Sequence, residues 1–145
     1  MDVQSAYRAA ALALLDDYAS SVSLDLTTYP GRPASIHPPH AFVDRMGAVI
    51  DPVGPDSNYQ HEPSCEVVIL HGDFDSGVAV AQRDAFVDGF VHWVKDNMHE
   101  AGGNTLIHVA SIEDEPTYVP DWLPPEYQRT YYGTRITLEG YVGDN

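Results

Sequence analysis

The stretch Cys65-Glu66-Val67-Val68-Ile69-Leu70-His71 constrains this chain more than any other. Its nearly unbroken apolar run reads as a buried strand. A long helix follows, expected from about Gly77 to Glu100, capped by Asp75 or Ser76 and ended by Gly102-Gly103. Phe86, Phe90 and Trp93, with Val87, Val91, Val94 and Met98, form a broad apolar face at helical spacing. Asp84, Asp88, His92, Lys95, Asp96 and His99 fall on the opposite side.

The flanking segments supply the remaining elements. A first helix is expected from Val3 to about Tyr18, with Asp2 as N-cap and an alanine-rich body that lets a neighbour approach closely. Val22, Leu24 and Leu26 alternate with Ser23, Asp25 and Thr27, the period of a half-buried strand. Residues 30–64 are rich in proline; Phe42 to Met46 suits a strand, and 51–64 reads as an exposed loop or arm. Thr105–Ile112 is a further strand, closed by the acidic turn Glu113-Asp114-Glu115-Pro116. Residues 116–129 form a second exposed Pro- and aromatic-rich segment, and the last strand runs from about Thr130 to Tyr141. The expected fold is α+β: two helices packed on one mixed or antiparallel sheet of four to five strands, with long Pro-rich loops. At 145 residues the whole chain, 1–145, is read as a single domain.

Charge narrows the function. Seven Lys+Arg against 22 Asp+Glu give a net charge of -15, and Lys95 is the one lysine. Gripping nucleic acid or an anionic membrane needs a basic face, which this composition cannot supply. No apolar run is long enough to cross a bilayer, and the start at Asp2 shows no basic region of a signal peptide. An acidic, lysine-poor chain matches proteins of extreme halophiles, because at 1 M salt the Debye length is about 3 Å and self-repulsion is screened. An ordinary acidic protein is the alternative.

Catalytic constellations are missing. There is no GxSxG elbow, P-loop, GxGxxG, HExxH or EF-hand loop. Cys65 is the lone cysteine and reads as core filler. Seven histidines still invite a metal reading, through His37-Pro-Pro-His40, His61-Glu62 and His71-Gly-Asp73-Phe-Asp75. The enzymatic alternative is therefore a small metal-dependent hydrolase using His37, His40, His71 and Asp73. Asp73 and Asp75 equally suit helix capping, and Glu113 to Glu115 suit a solvated turn better than a cation site. The main expectation is no enzyme, no metal and no cofactor. Tyr118, Trp122, Tyr127, Tyr131 and Tyr132 lie in or beside a proline-rich segment, the composition of a protein–protein hot spot.

Taken in order, the chain resembles the tail terminator (tail-completion) proteins of siphovirus-like phages and archaeal tailed viruses. An N-terminal helix, a strand and the Arg-Pro segment Tyr29-Pro-Gly-Arg-Pro-Ala-Ser-Ile come first. A central strand then turns into a helix carrying Gln82-Arg83-Asp84, and two strands close the chain, the last reading Tyr132-Gly-Thr-Arg-Ile-Thr-Leu-Glu-Gly. The likeness is one of architecture, size and texture and covers most of the chain. It implies a structural virion protein: a homo-oligomeric ring, usually a hexamer, at the head-proximal end of the tail tube. Such a ring ends tube polymerisation and joins tail to head-side connector or stopper. DNA passes through its lumen without specific binding, and the ring is assembled in the host cytoplasm. A ring needs two different patches per subunit. The Pro-rich segments at 30–64 and 116–129 are the candidates, with Arg32, Ile36, Tyr59, Tyr118, Trp122 and Tyr127 as interface residues.

Overall fold

A computed structural model describes residues 3–53, 58–73, 77–97 and 105–142. Helix α1 is Val3–Ser21, followed by strands β1 (Thr27–Tyr29), β2 (His40–Val53) and β3 (Asn58–Asp73). Helix α2 spans Gly77–Asn97, and strands β4 (Thr105–Tyr118) and β5 (Tyr131–Val142) finish the chain. The five strands form one mixed sheet in the order β1-β2-β3-β5-β4, with β1 parallel to β2 and every other pair antiparallel. This is the expected α+β architecture, two helices on one sheet.

The strand read from Cys65–His71 is the sheet's centre. Cys65, Val67 and Ile69 point to the helical side, where Tyr7, Leu14, Leu15 and Tyr18 of α1 meet Phe86, Phe90 and Val94 of α2. The buried line of α2 is narrower than the expected face: Val91 is exposed, and Met98, His99 and the proposed caps Asp75 and Ser76 lie outside the described residues. Tyr18 bridges the helices, its ring edge-on to Phe86 and Phe90 at 5.2 and 5.3 Å. Gly89 permits that approach, since a Cβ there would collide with the Tyr18 hydroxyl. Val68 and Leu70 point to the opposite side and join Phe42, Ile36, Leu123 and Tyr131 in a second, smaller core.

Three expectations need correction. Residues 22–26 do not form a strand; strand β1 begins only at Thr27. Helix α1 runs on to Ser21 and closes with Leu24 N–H on the Ala19 carbonyl at 2.8 Å, with Ser23 left-handed at φ 57°. That ending turns Val22 to solvent, 51% exposed, so the alternation marks a helix end.

The segment 51–64 is no loop. Residues 51–53 and 58–64 continue β2 and β3 as one long antiparallel hairpin, in one register from Arg45↔Glu66 to Val53↔Asn58. Pro63 fits because the described β5 pairing begins only at Ser64, so the strand's other side has no ladder there. Residues 54–57 lie outside the described residues.

The acidic turn at Glu113–Pro116 is likewise strand, because its carboxylates find arginines: Asp114 pairs with Arg83, and Glu115 with Arg135. Residues 116–118 therefore belong to β4, and the segment after them folds back over the sheet with Pro120 and Leu123 buried.

Candidate interaction surface

The face of the sheet away from the helices gathers four of the six expected interface residues. Phe42, Val68 and Leu70 make this face apolar at one end, and two irregular segments, 30–39 and 119–130, cover it. Trp122 is the latch between them. Its indole N–H donates to the Pro33 carbonyl at 2.8 Å, and its ring stands edge-on to Phe42 at 5.3 Å. Tyr118 closes the aromatic group at 6.2 Å from Phe42 and 6.3 Å from Trp122. The Arg32 guanidinium lies 5.0 Å over the Trp122 ring, while its Nε donates to Asp44 at 2.9 Å. Ile36 is buried in the same cluster.

Tyr127 differs: it stands 65% exposed on a short 3-10 turn, Pro125–Tyr127, at the rim of a cleft of about 330 Å³ shared with Ile36, His37 and Tyr131. Tyr59 pairs with Pro52 on the hairpin, and its side chain lies outside the described residues.

Behind the aromatic group lies a charge network that sequence reasoning missed. Arg135 donates from Nε to Glu115 and from Nη1 to Asp44, both at 2.9 Å, and approaches Glu66 at 3.7 Å. Asp44 therefore serves two arginines. Burial alone would raise its carboxyl, but the hydrogen bonds from Arg135 and Arg32 outweigh it and hold the group below the ordinary carboxylate range. Burial, with Asp44 nearby, pushes the Tyr118 hydroxyl up to about 12. Asp44 sits at a bulge between Val43 and Arg45, a step that no period-two pattern announces. The signal available in sequence was one arginine inside a well-alternating strand.

The residues of the hydrolase alternative are divided. His40 is buried beside Tyr29 and accepts from the His37 backbone N–H at 3.2 Å, on the aromatic side of the sheet. His71 is on the helical side, 5.9 Å from Phe86, hydrogen-bonded through Nε2 to Thr134 at 3.0 Å. It lines an apolar cavity of about 280 Å³ between the end of α1 and α2. Asp73 is exposed at the end of β3. Among the described residues no three His, Cys, Asp or Glu side chains group as a metal site. Cys65 is buried, its thiol pushed up to about 12 by that burial, an environment that keeps a thiol unreactive. No helix among the described residues is long and apolar enough to cross a membrane.

No protein-family model matches the chain, and a search of curated proteins finds no match.

The latch gives a direct prediction. Trp122→Ala removes a half-buried ring and the Pro33 hydrogen bond, at an expected cost of about 2 kcal/mol, below that of truncating a fully buried aromatic. Amide exchange should accelerate at 30–36 and 119–128 while the helical layer stays protected. Unchanged exchange in those two segments would show that the latch does not hold them.

Proposed function

We propose that this chain is a tail terminator of a virus of a halophilic host. It is a virion subunit that assembles into a ring at the head-proximal end of the tail tube. There it ends tube polymerisation and meets the head-side connector, with DNA passing through the lumen unbound. The observation that most supports this reading is the element order: helix α1 first, the central strand β3 followed by α2, and two closing strands, β4 and β5, in the same sheet. That is the order on which the resemblance rests. The second face adds to it: segments 30–39 and 119–130 are latched in place and present Tyr127 and the cleft beside it. The net charge of -15 suits a lumen past which a polyanion slides.

The test is absolute mass by light scattering in multimolar KCl, with and without chelator, followed by addition to polymerising tail tube protein. A hexamer-sized species indifferent to chelator, which arrests tube growth, is the expected result. A monomer that leaves tube length unchanged, or a metal-dependent hydrolytic activity lost in His71→Ala, would replace the reading.

A halophilic origin has its own consequence. Below about 0.1 M salt the Debye length reaches 10 Å, so repulsion among the acids spreads across the fold. The melting temperature is expected to rise steadily from dilute buffer to multimolar KCl. A flat profile would remove the halophilic part of the proposal.

A further inference from the structure

Among the described residues both borders of the sheet are open. β1 covers β2 only from His40 to Phe42, so from Val43 onward no described strand lies beside the outer side of β2. β4 forms the other border over its whole length, Thr105–Tyr118. Among the described residues no loop or turn makes a backbone hydrogen bond to either stretch. Outward-pointing N–H and C=O groups on such borders are a template for another strand. Neither 43–51 nor 105–115 contains a proline to block it.

The two borders also match each other. Three successive antiparallel pairings set β2 antiparallel to β4. A copy rotated about an axis along the strands thus brings its β4 antiparallel to its neighbour's β2, continuing the sheet's own alternation. The heights agree as well: Arg45 is opposite Glu66, Glu66 opposite Thr137, and Thr137 opposite Ser111.

Charge favours this pairing. The Arg45 side chain is 78% exposed and held only at 3.4 Å by Glu66. Glu113 on β4 is exposed and has no ion pair among the described residues. A β4-to-β4 joint centred on Asp114 would set Glu113, Asp114 and Glu115 of two copies side by side, and a β2-to-β2 joint centred on Arg45 would set Arg45 beside Arg45. Like charges in facing strands disfavour those two registers, whereas β2 against β4 at matching heights places Arg45 diagonally across from Glu113.

We infer that a second copy of this chain docks by strand addition, residues 105–115 of its β4 border pairing antiparallel with the 43–51 border of β2 on its neighbour. The contact is head-to-tail, so it repeats and closes into a ring when the rotation allows. The inference deepens the ring reading and rests on it for closure.

The test is disulfide trapping in multimolar KCl. Arg45→Cys is combined with Ser111→Cys, and separately with Glu113→Cys to allow for a shifted register; buried Cys65 stays out of the reaction. A ladder of covalent oligomers from a double variant, with none from any single variant, is expected. Dimers from a single variant, which mark a symmetric contact, or no ladder from either double variant, would overturn the pairing. Should the double variants fail to fold, amide exchange in the unsubstituted protein decides. Exchange at 43–48 and 106–115 must slow at least tenfold between dilute and assembled protein, and unchanged exchange there overturns the inference. A ladder from a protein that does not arrest tube growth upholds the pairing while removing the terminator role.

Discussion

Arg135→Leu is expected to cost about 3 kcal/mol of folding stability at pH 7, the scale for removing one partner from a largely buried ion pair. The Arg135 side chain is 18% exposed and its partner Asp44 only 11%, so water replaces little of what is lost. Three carboxylates, Asp44, Glu66 and Glu115, would then face one another with Arg32 and Arg45 at the margin. The pH dependence identifies the mechanism. In the parent protein the Asp44 carboxyl is held low, so its contribution is present above the ordinary carboxylate range and fades as pH falls. Without Arg135 one of the two hydrogen bonds that hold the carboxyl low is lost while its burial remains, so the variant should lose less stability than the parent as the pH drops and Asp44 takes up a proton. The gap between the two proteins should therefore narrow from pH 7 to pH 4. Denaturant unfolding across that range measures it. A gap independent of pH would mean that the introduced leucine disturbs packing rather than charge. Adding Asp44→Asn to Arg135→Leu should recover part of the loss at neutral pH for the same reason.

That network also shows where sequence reading reaches its limit. The helices and the central strand were legible because α2 carries an apolar face at helical spacing, α1 an alanine-rich body, and the central strand a nearly unbroken apolar run. The apolar run at Cys65–Leu70 and the line Phe86, Phe90, Val94 bury against each other as their spacing implies. Periodicity fails where the chain steps. Bulges at Val43/Arg45 and Val109/Ser111 shift the facing of side chains by one residue. The acids at 113–115 look like a solvated turn until Arg83 and Arg135 arrive from elsewhere in the chain to pair with Asp114 and Glu115. The hairpin at 51–64 is hidden by its prolines, although Pro52 and Pro63 each lie in a strand. Trp122 was legible as a residue that needed a partner. That one partner would be the Pro33 carbonyl of its own chain, 89 residues away, was not.

His71 carries the second large effect, and it acts in acid. The ring is 6% exposed, packed against Phe86 and hydrogen-bonded to Thr134. Burial first, and the Arg83 guanidinium second, push its pKa down to about 4. A histidine held neutral in the fold stabilises it fully above the unfolded value, near 6.5. That stability drains away as pH falls from there toward 4, because only the unfolded chain takes up the proton. The full drop amounts to about 3 kcal/mol. His71→Gln keeps a hydrogen-bonding side chain toward Thr134 but cannot titrate, so it should lie below the parent at pH 7 and lose less on acidification. Unfolding is best followed in multimolar KCl. There the easing of repulsion among the acids, which acts on both proteins alike and in the opposite direction, is already screened. If the two stability curves stay parallel from pH 7 to 4, the acid sensitivity belongs to another group. If they converge, a single buried imidazole between the two helices and the sheet sets the acid limit of the fold.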